Sequence, residues 1–186
     1  MEEWLNSKGE IVLREIGIKN SQRVVDFGCG EGVYSIIISK IIGETGIVIA
    51  IDKNQESLEE LREKIQEQNI DNIELLHLPE DSTLPIEDTS IDVFLLYDVY
   101  HLLDKKQRIK IIEEAARVLH EDGFLSYHAT HLDSYEVNLK EVKKHMKDYN
   151  LIFNEKYKKP MFHWSWIEEG IILNFLKSKA AIFRKT

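Results

Sequence analysis

One cysteine, Cys29, stands in 186 residues. That excludes an internal disulfide and any metal site built on several thiolates. Proline is nearly as scarce, with three residues, and no Pro-rich or Ser-rich stretch separates one half of the chain from the other. A single domain over 1–186, with 1–20 as an N-terminal helical cap, is therefore expected. No apolar run approaches the ~20 residues of a membrane helix. Met1-Glu2-Glu3 begins without the basic start and apolar stretch of a secretory signal, so a cytoplasmic protein is expected. Positive charge is short as well: 24 Lys and Arg stand against 33 Asp and Glu, a net −9. Such a balance opposes broad phosphate-backbone binding, and nucleic acid is not expected as a partner. The deficit is uneven, with 13 basic and 28 acidic residues through Asn138 and 11 basic and 5 acidic residues after it. Lys140, Lys143, Lys144 and Lys147 recur along one predicted helix and read as a solvated face.

Glycine is concentrated instead of abundant. Val24-Val25-Asp26-Phe27-Gly28-Cys29-Gly30-Glu31-Gly32 is an apolar run that ends in an acid and opens onto three glycines at alternate positions. Without a Cβ, such a backbone turns at positive φ or comes within contact distance of a ligand. Asp26 and Glu31 would repel a pyrophosphate seated on amides at a helix N-terminus, which points to a ligand that is cationic there. A nicotinamide fingerprint Gly-x-Gly-x-x-Gly would need its third glycine at position 33, which is Val33. Cys29, inside the loop, suits a small filler better than a nucleophile.

The pattern Asp26-x-Gly28-x-Gly30-x-Gly32 resembles motif I of the class I S-adenosylmethionine-dependent methyltransferases. Their cofactor carries a sulfonium and an ammonium, so the acids become an asset. The resemblance implies that Asp26, Gly28, Cys29, Gly30 and Gly32 surround S-adenosylmethionine and its product S-adenosylhomocysteine. Gly46 to Asp52 is a second apolar strand ending in an acid, and a carboxylate at that tip suits two ribose hydroxyls. Asp52, with Lys53 beside it, joins the implied site. Leu76 to Pro85, then Ile86 to Leu96, resembles the family's acid before Leu-Pro and its aspartate opening the fourth strand. Glu80, four residues before Leu84, or its neighbour Asp81 would then meet the adenine amino group. Asp98 to Asp104 resembles the family's loop after strand four, where Tyr97 is also implied at the cofactor. Arg117 to Leu125 resembles its helix end, glycine turn and fifth strand.

Alternating patterns predict helices at 2–16, 33–42, 54–68, 105–119 and 134–149, and strands at 24–27, 46–52, 73–78, 92–96, 124–128, 151–157 and 171–176. Asp104 with Gln107 three residues later predicts a capping box, with Ile109, Ile112, Ala116 and Leu119 on the buried face and Gly123 as the stop. The fold class is α/β, and the resemblance implies a Rossmann-like seven-stranded, mostly parallel sheet with helices on both faces and the last strand antiparallel. Without a large insertion, the acceptor site would be built from 1–20, the 98–104 loop, the 129–134 loop and the 163–170 connection.

Methyl transfer is largely positioning. A general base helps a hydroxyl or protonated amine, and His101 and His128, following strands four and five, are the candidate catalytic residues, ahead of His131 and His163. No metal is expected, since no clear third ligand joins His128 and His131. Tyr97-Asp98-Val99-Tyr100 replaces Asn-Pro-Pro-Tyr, which disfavours adenine or glutamine amino-methylation. Small-molecule oxygen, nitrogen or sulfur acceptors remain, on a monomer or homodimer. Two alternatives stay open: a non-catalytic S-adenosylmethionine binder or partner subunit, and an NAD-dependent oxidoreductase.

Overall fold

The computed structural model describes residues 3–79, 82–132, 135 and 137–178. Its strands are β1 (Arg23–Phe27), β2 (Ile47–Asp52), β3 (Ile73–His77), β4 (Ile91–Leu96), β5 (Leu119–His128), β6 (Leu151–His163) and β7 (Trp166–Lys177). The helices are α1 (Gly9–Ile16), α2 (Val33–Ile42), α3 (Gln55–Glu67), α4 (Lys105–Val118) and α5 (Leu139–Asp148), with a π-helical turn at Trp4–Lys8 and a 3-10 turn at Tyr100–Leu102. One seven-stranded sheet has the order β3-β2-β1-β4-β5-β7-β6. Strands β1 to β5 pair in parallel, and β7 runs antiparallel to both β5 and β6.

The central strands are apolar at nearly every position because helices cover both faces. Val25, Phe94 and Leu96 pack toward Ile112, Ala115 and Met146 on one side, while Val24, Val48 and Leu95 meet Leu13, Ile38 and Ile41 on the other. Trp4 anchors the N-terminal helices across the sheet: its indole N–H donates to the Pro160 carbonyl at 2.7 Å, and its ring stacks on Phe162. Loops at the carboxyl ends of β1, β2, β4 and β5 share one rim, where ligands of open α/β sheets bind.

Four expectations change. Helix α4 keeps its capping box, Asp104 and Gln107 exchanging bonds of 2.8 and 3.0 Å, but buries Ile111, Ile112, Ala115 and Val118 and leaves Ile109 partly exposed. Leu119 already opens β5, and Gly123 lies inside that strand, where a Cβ would meet the Asp92 carbonyl oxygen at 2.8 Å. The predicted strands 151–157 and 171–176 are halves of a long hairpin whose ladder continues to His163 opposite Trp166. Lys158, Pro160, Glu168 and Glu169 read as loop, yet β6 is an edge strand that tolerates proline, and Lys158 pairs with Glu169 across the ladder at 3.0 Å. Helix α5 begins at Leu139, where Asn138 Oδ1 accepts from the Lys140 amide at 2.8 Å; Ser134, its expected start, lies outside the described residues.

Candidate active site

The loop after β1 is held by backbone bonds and by the side chains of Asp52 and Lys64, the latter donating to the Glu31 carbonyl at 3.2 Å. Gly28 and Cys29 amides donate to the Ile51 carbonyl at 2.8 and 3.0 Å, and the Gly30 amide donates to Asp52 Oδ2 at 2.8 Å. The other carboxylate oxygen of Asp52 accepts from the Asn54 amide at 2.8 Å, and Asn54 in turn caps α3. Two glycines do different work. Gly32, at φ +78°, leaves room for α3, because a Cβ there would lie 2.2 Å from Leu61 Cδ1. Gly30, at φ +51°, has nothing within 4 Å of a built Cβ and faces open space.

That space is a cavity of about 320 Å³ between the loop, the end of β2 and α4. Gly28, Gly30, Asp52 and Lys53 line it, with Phe27, Ile51, Leu78, Leu84 and Ile111 as apolar walls. The structure therefore brings four of the expected cofactor residues together. Asp26, Cys29, Gly32 and Tyr97 do not line it. Asp26 is buried behind the loop, where it accepts from Ser35 Oγ at 2.6 Å, and burial lifts its carboxyl to about 6. Burial also pushes the Cys29 thiol far up, which removes the thiolate a nucleophile needs. Tyr97 shares a 2.8 Å hydroxyl bond with Ser126 and meets the rings of Tyr34 and His128 edge-on. Glu80 and Asp81 lie outside the described residues.

A wall that sequence reasoning missed comes from α4. Glu114 Oε2 accepts from the Leu84 amide at 2.8 Å, and Arg117 reaches the Leu84 and Ile86 carbonyls at 2.9 and 2.8 Å while pairing with Glu114 and Asp88. Burial would raise the Glu114 carboxyl, but the Arg117 and Leu84 hydrogen bonds hold it below its ordinary value. No local motif announces such a clasp across thirty residues of chain.

Asp98, at the carboxyl end of β4, connects the cavity to a histidine cluster. It lines the cavity and has φ +53°, while its Oδ1 lies 3.4 Å from His128 Nδ1 and 3.9 Å from His163 Nε2. Burial raises its carboxyl to about 6, against the opposing pull of His163. His163 Nδ1 donates to Glu168 Oε1 at 2.6 Å, and its Nε2 lies 3.2 Å from His131 Nε2. The expected bases are deeper. His101 and His128 are 4% and 1% exposed, and burial, reinforced by neighbouring histidines, lowers them to about 4 and about 3. Both ring nitrogens of His128 lack a hydrogen-bond partner among the described residues, and its Nε2 packs against Gly170, where a Cβ would come within 2.3 Å. Among the described residues no group of three or more His, Cys, Asp or Glu is arranged to hold a metal ion.

A glycine loop and an acid at the tip of the second strand are shared by several nucleoside-binding sheets. Residues 24–123 match the model of the methyltransferase domain family. The chain belongs to that family. Its sheet is the Rossmann-like one of the class I S-adenosylmethionine-dependent methyltransferases. The chain is similar to demethylmenaquinone methyltransferase of Staphylococcus aureus, 26% identical over 159 residues that cover 86% of this chain. It spans 64% of the length of that relative. In fold it is similar to a SAM-dependent methyltransferase from Aquifex aeolicus, with a TM-score of 0.76 and 23% identity over 94% of this chain and 92% of the other. A TehB-like SAM-dependent methyltransferase from Corynebacterium glutamicum superposes with a TM-score of 0.71 and 16% identity, over 91% and 88% of the two chains. The chain keeps the family sheet, and its last hairpin carries His163, Trp164, Trp166 and Glu168 to the rim.

Proposed function

We propose that this methyltransferase transfers a methyl group from S-adenosylmethionine to an oxygen, nitrogen or sulfur atom of a small organic acceptor. The observation that carries the reading is the open space at Gly30 beside the Asp52 carboxylate, in a cavity that Asp98 also lines. Asp52 would hold the ribose, the Gly28 to Gly32 turn would admit the amino-acid portion, and Glu80 or Asp81 would meet the adenine. Asp26 would support the loop from behind, and Lys53 would sit at the mouth of the cavity. When bound, the cofactor supplies an electrophilic methyl group. The chain supplies alignment and dryness: Phe27, Leu84 and Ile111 exclude water, and alignment alone is worth several kcal/mol of barrier.

A small acceptor is favoured by the name of the Staphylococcus relatives, demethylmenaquinone methyltransferase, which act on an organic molecule. The excess of acidic over basic residues supports the same choice over nucleic acid. No helix among the described residues is long and apolar enough to cross a membrane. A monomer or homodimer acting in the cytoplasm, with the whole chain as one domain, completes the proposal. Its test is an acceptor screen, in which labelled S-adenosylmethionine is incubated with pools of phenols, amines and thiols and products are read by mass spectrometry. Methylated product that disappears with Asp52→Ala supports it, and methylation confined to protein or RNA overturns it.

A further inference from the structure

The rim holds a second set of groups that cofactor binding leaves unused. Asp98 from the end of β4, His101 from the 3-10 turn, His128 and His131 after β5, His163 from β6 and Glu168 from β7 face one another at the hairpin end of the sheet. Three of the seven positive-φ non-glycine residues among those described lie there, Asp98, His131 and Trp164, with φ values of +53°, +54° and +55°, and for the bulky Trp164 that conformation is uncommon. Such strain persists where the surroundings over-determine it, and it clusters at functional sites. Two large rings lie in the open beside these groups. Trp164 and Trp166 are 54% and 49% exposed and 5.9 Å apart, and His131 lies 5.2 Å from Trp164 and 5.0 Å from Tyr135.

Hydrogen bonding orders the tautomers. Glu168 accepts from His163 Nδ1 at 2.6 Å and from the Trp166 indole N–H at 3.2 Å, so both carboxylate oxygens are engaged. With a proton on Nδ1, neutral His163 keeps its lone pair on Nε2 and accepts from His131 Nε2 at 3.2 Å. His131 then carries its own lone pair on Nδ1. The chain of three groups is polarised from the rim toward a carboxylate, as in the acid-oriented histidines of activated nucleophiles.

We infer that Glu168, His163 and His131 form a proton relay for an acceptor whose nucleophile is an aromatic hydroxyl held against Trp164 and Trp166 beside Asp98. The inference rests on the methyl-transfer reading above and narrows its acceptor. Imidazole matches the acidity of a phenol or enol far better than that of an aliphatic alcohol. Exposed indole and phenol rings supply offset or edge-on partners for a planar acceptor. In the step, the acceptor O–H bond breaks and its electron pair stays on oxygen, where it forms the bond to the methyl carbon as the methyl–sulfur bond returns its pair to sulfur. The proton passes to His131 Nδ1, the proton on His131 Nε2 passes to His163 Nε2, and the imidazolium so formed rests against Glu168. Glu168 touches no substrate and is a positioning residue.

The test uses para-nitrophenol, which is coloured as the phenolate, and needs no natural acceptor. Protein loaded with S-adenosylhomocysteine is titrated with it below the phenol's own solution pKa, and phenolate absorbance is read beside calorimetric affinity for S-adenosylhomocysteine. The wild type is expected to bind the phenol as its anion, His131→Gln and His163→Gln to lose that band at least about tenfold, and Trp166→Ala to weaken phenol binding. Glu168→Gln, at an exposed side chain, guards against misfolding of the buried histidine variant and is expected to move the bound phenol's apparent pKa up by about one unit. A bound phenol that stays neutral, absent phenol binding, or a phenolate band unchanged in all three relay variants overturns the relay while S-adenosylhomocysteine still binds. Failure of S-adenosylhomocysteine to bind the wild type overturns the underlying reading instead.

Discussion

The backbone N–H of Gly30 donates to the Oδ2 of Asp52 at 2.8 Å, so one carboxylate both closes the glycine loop and lines the cavity beside it. Loop shape and ligand charge are thereby coupled through a single side chain. Asp52→Ala removes bonds to the Gly30 and Asn54 amides as well as the proposed ribose contact. A hydrogen bond to a charged group contributes about 1.5–3 kcal/mol, so affinity for S-adenosylhomocysteine should fall roughly 10-fold to 100-fold by calorimetry. Unchanged affinity would remove Asp52 from the site.

Gly30 and Gly32 separate binding from stability. Gly30→Val places a branched side chain in open space at φ +51°, so thermal stability should fall by about 1–3 kcal/mol from backbone strain while ligand binding disappears. Gly32→Ala drives a Cβ within 2.2 Å of Leu61 and should chiefly lower the melting temperature. Equal effects of the two variants on both measurements would contradict this division.

Asp26 carries a cost in the fold. Its carboxyl is lifted from 3.8 to about 6, so the native chain binds the proton more tightly than the unfolded chain, and stability falls as pH rises from about 4 to 6. Asp26→Asn keeps an oxygen for Ser35 and removes the charge. At pH 8 it should stabilise the protein by up to about 3 kcal/mol, and at pH 3.5 by much less. Parallel denaturant titrations at the two pH values decide the matter.

The buried histidines act in the opposite sense. His101 and His128, lowered from 6.5 to about 4 and about 3, stay neutral in the fold while the unfolded chain takes up protons. Each therefore removes about 1.4 kcal/mol of stability per pH unit as pH drops below 6.5, until its folded pKa is reached. Asp26 and Asp98, both raised to about 6, offset part of this loss between about 6 and 4. His128→Gln should flatten the acid limb of the stability curve, which urea titrations from pH 7 to 4.5 would reveal. A curve as steep as that of the wild type would mean that His128 is not held neutral.

What could be read in the residues was whatever is local. Helix α2, the Asp104 cap, the glycine loop and the acid ending β2 are short-range patterns, and they place four cavity residues in advance. The buried face of α4 could not be read because Ile109, Ile111 and Ile112 permit two stripes, and only packing against the sheet chooses between them. Polar residues hid the outer half of the β6–β7 hairpin, whose cross-strand pairs exist only after the chain folds back. The relay was missed for the same reason: 32 residues separate His131 from His163, and the carboxylate that orders them sits on the returning strand.

Titration calorimetry of S-adenosylhomocysteine against the wild type and Gly30→Val, with NADH as the control ligand, addresses the central claim most directly. One equivalent bound by the wild type, none by the variant and no heat from NADH is the predicted result. Equal binding by both proteins, or heat from NADH alone, would contradict a methyl-donor site built on the glycine loop and Asp52.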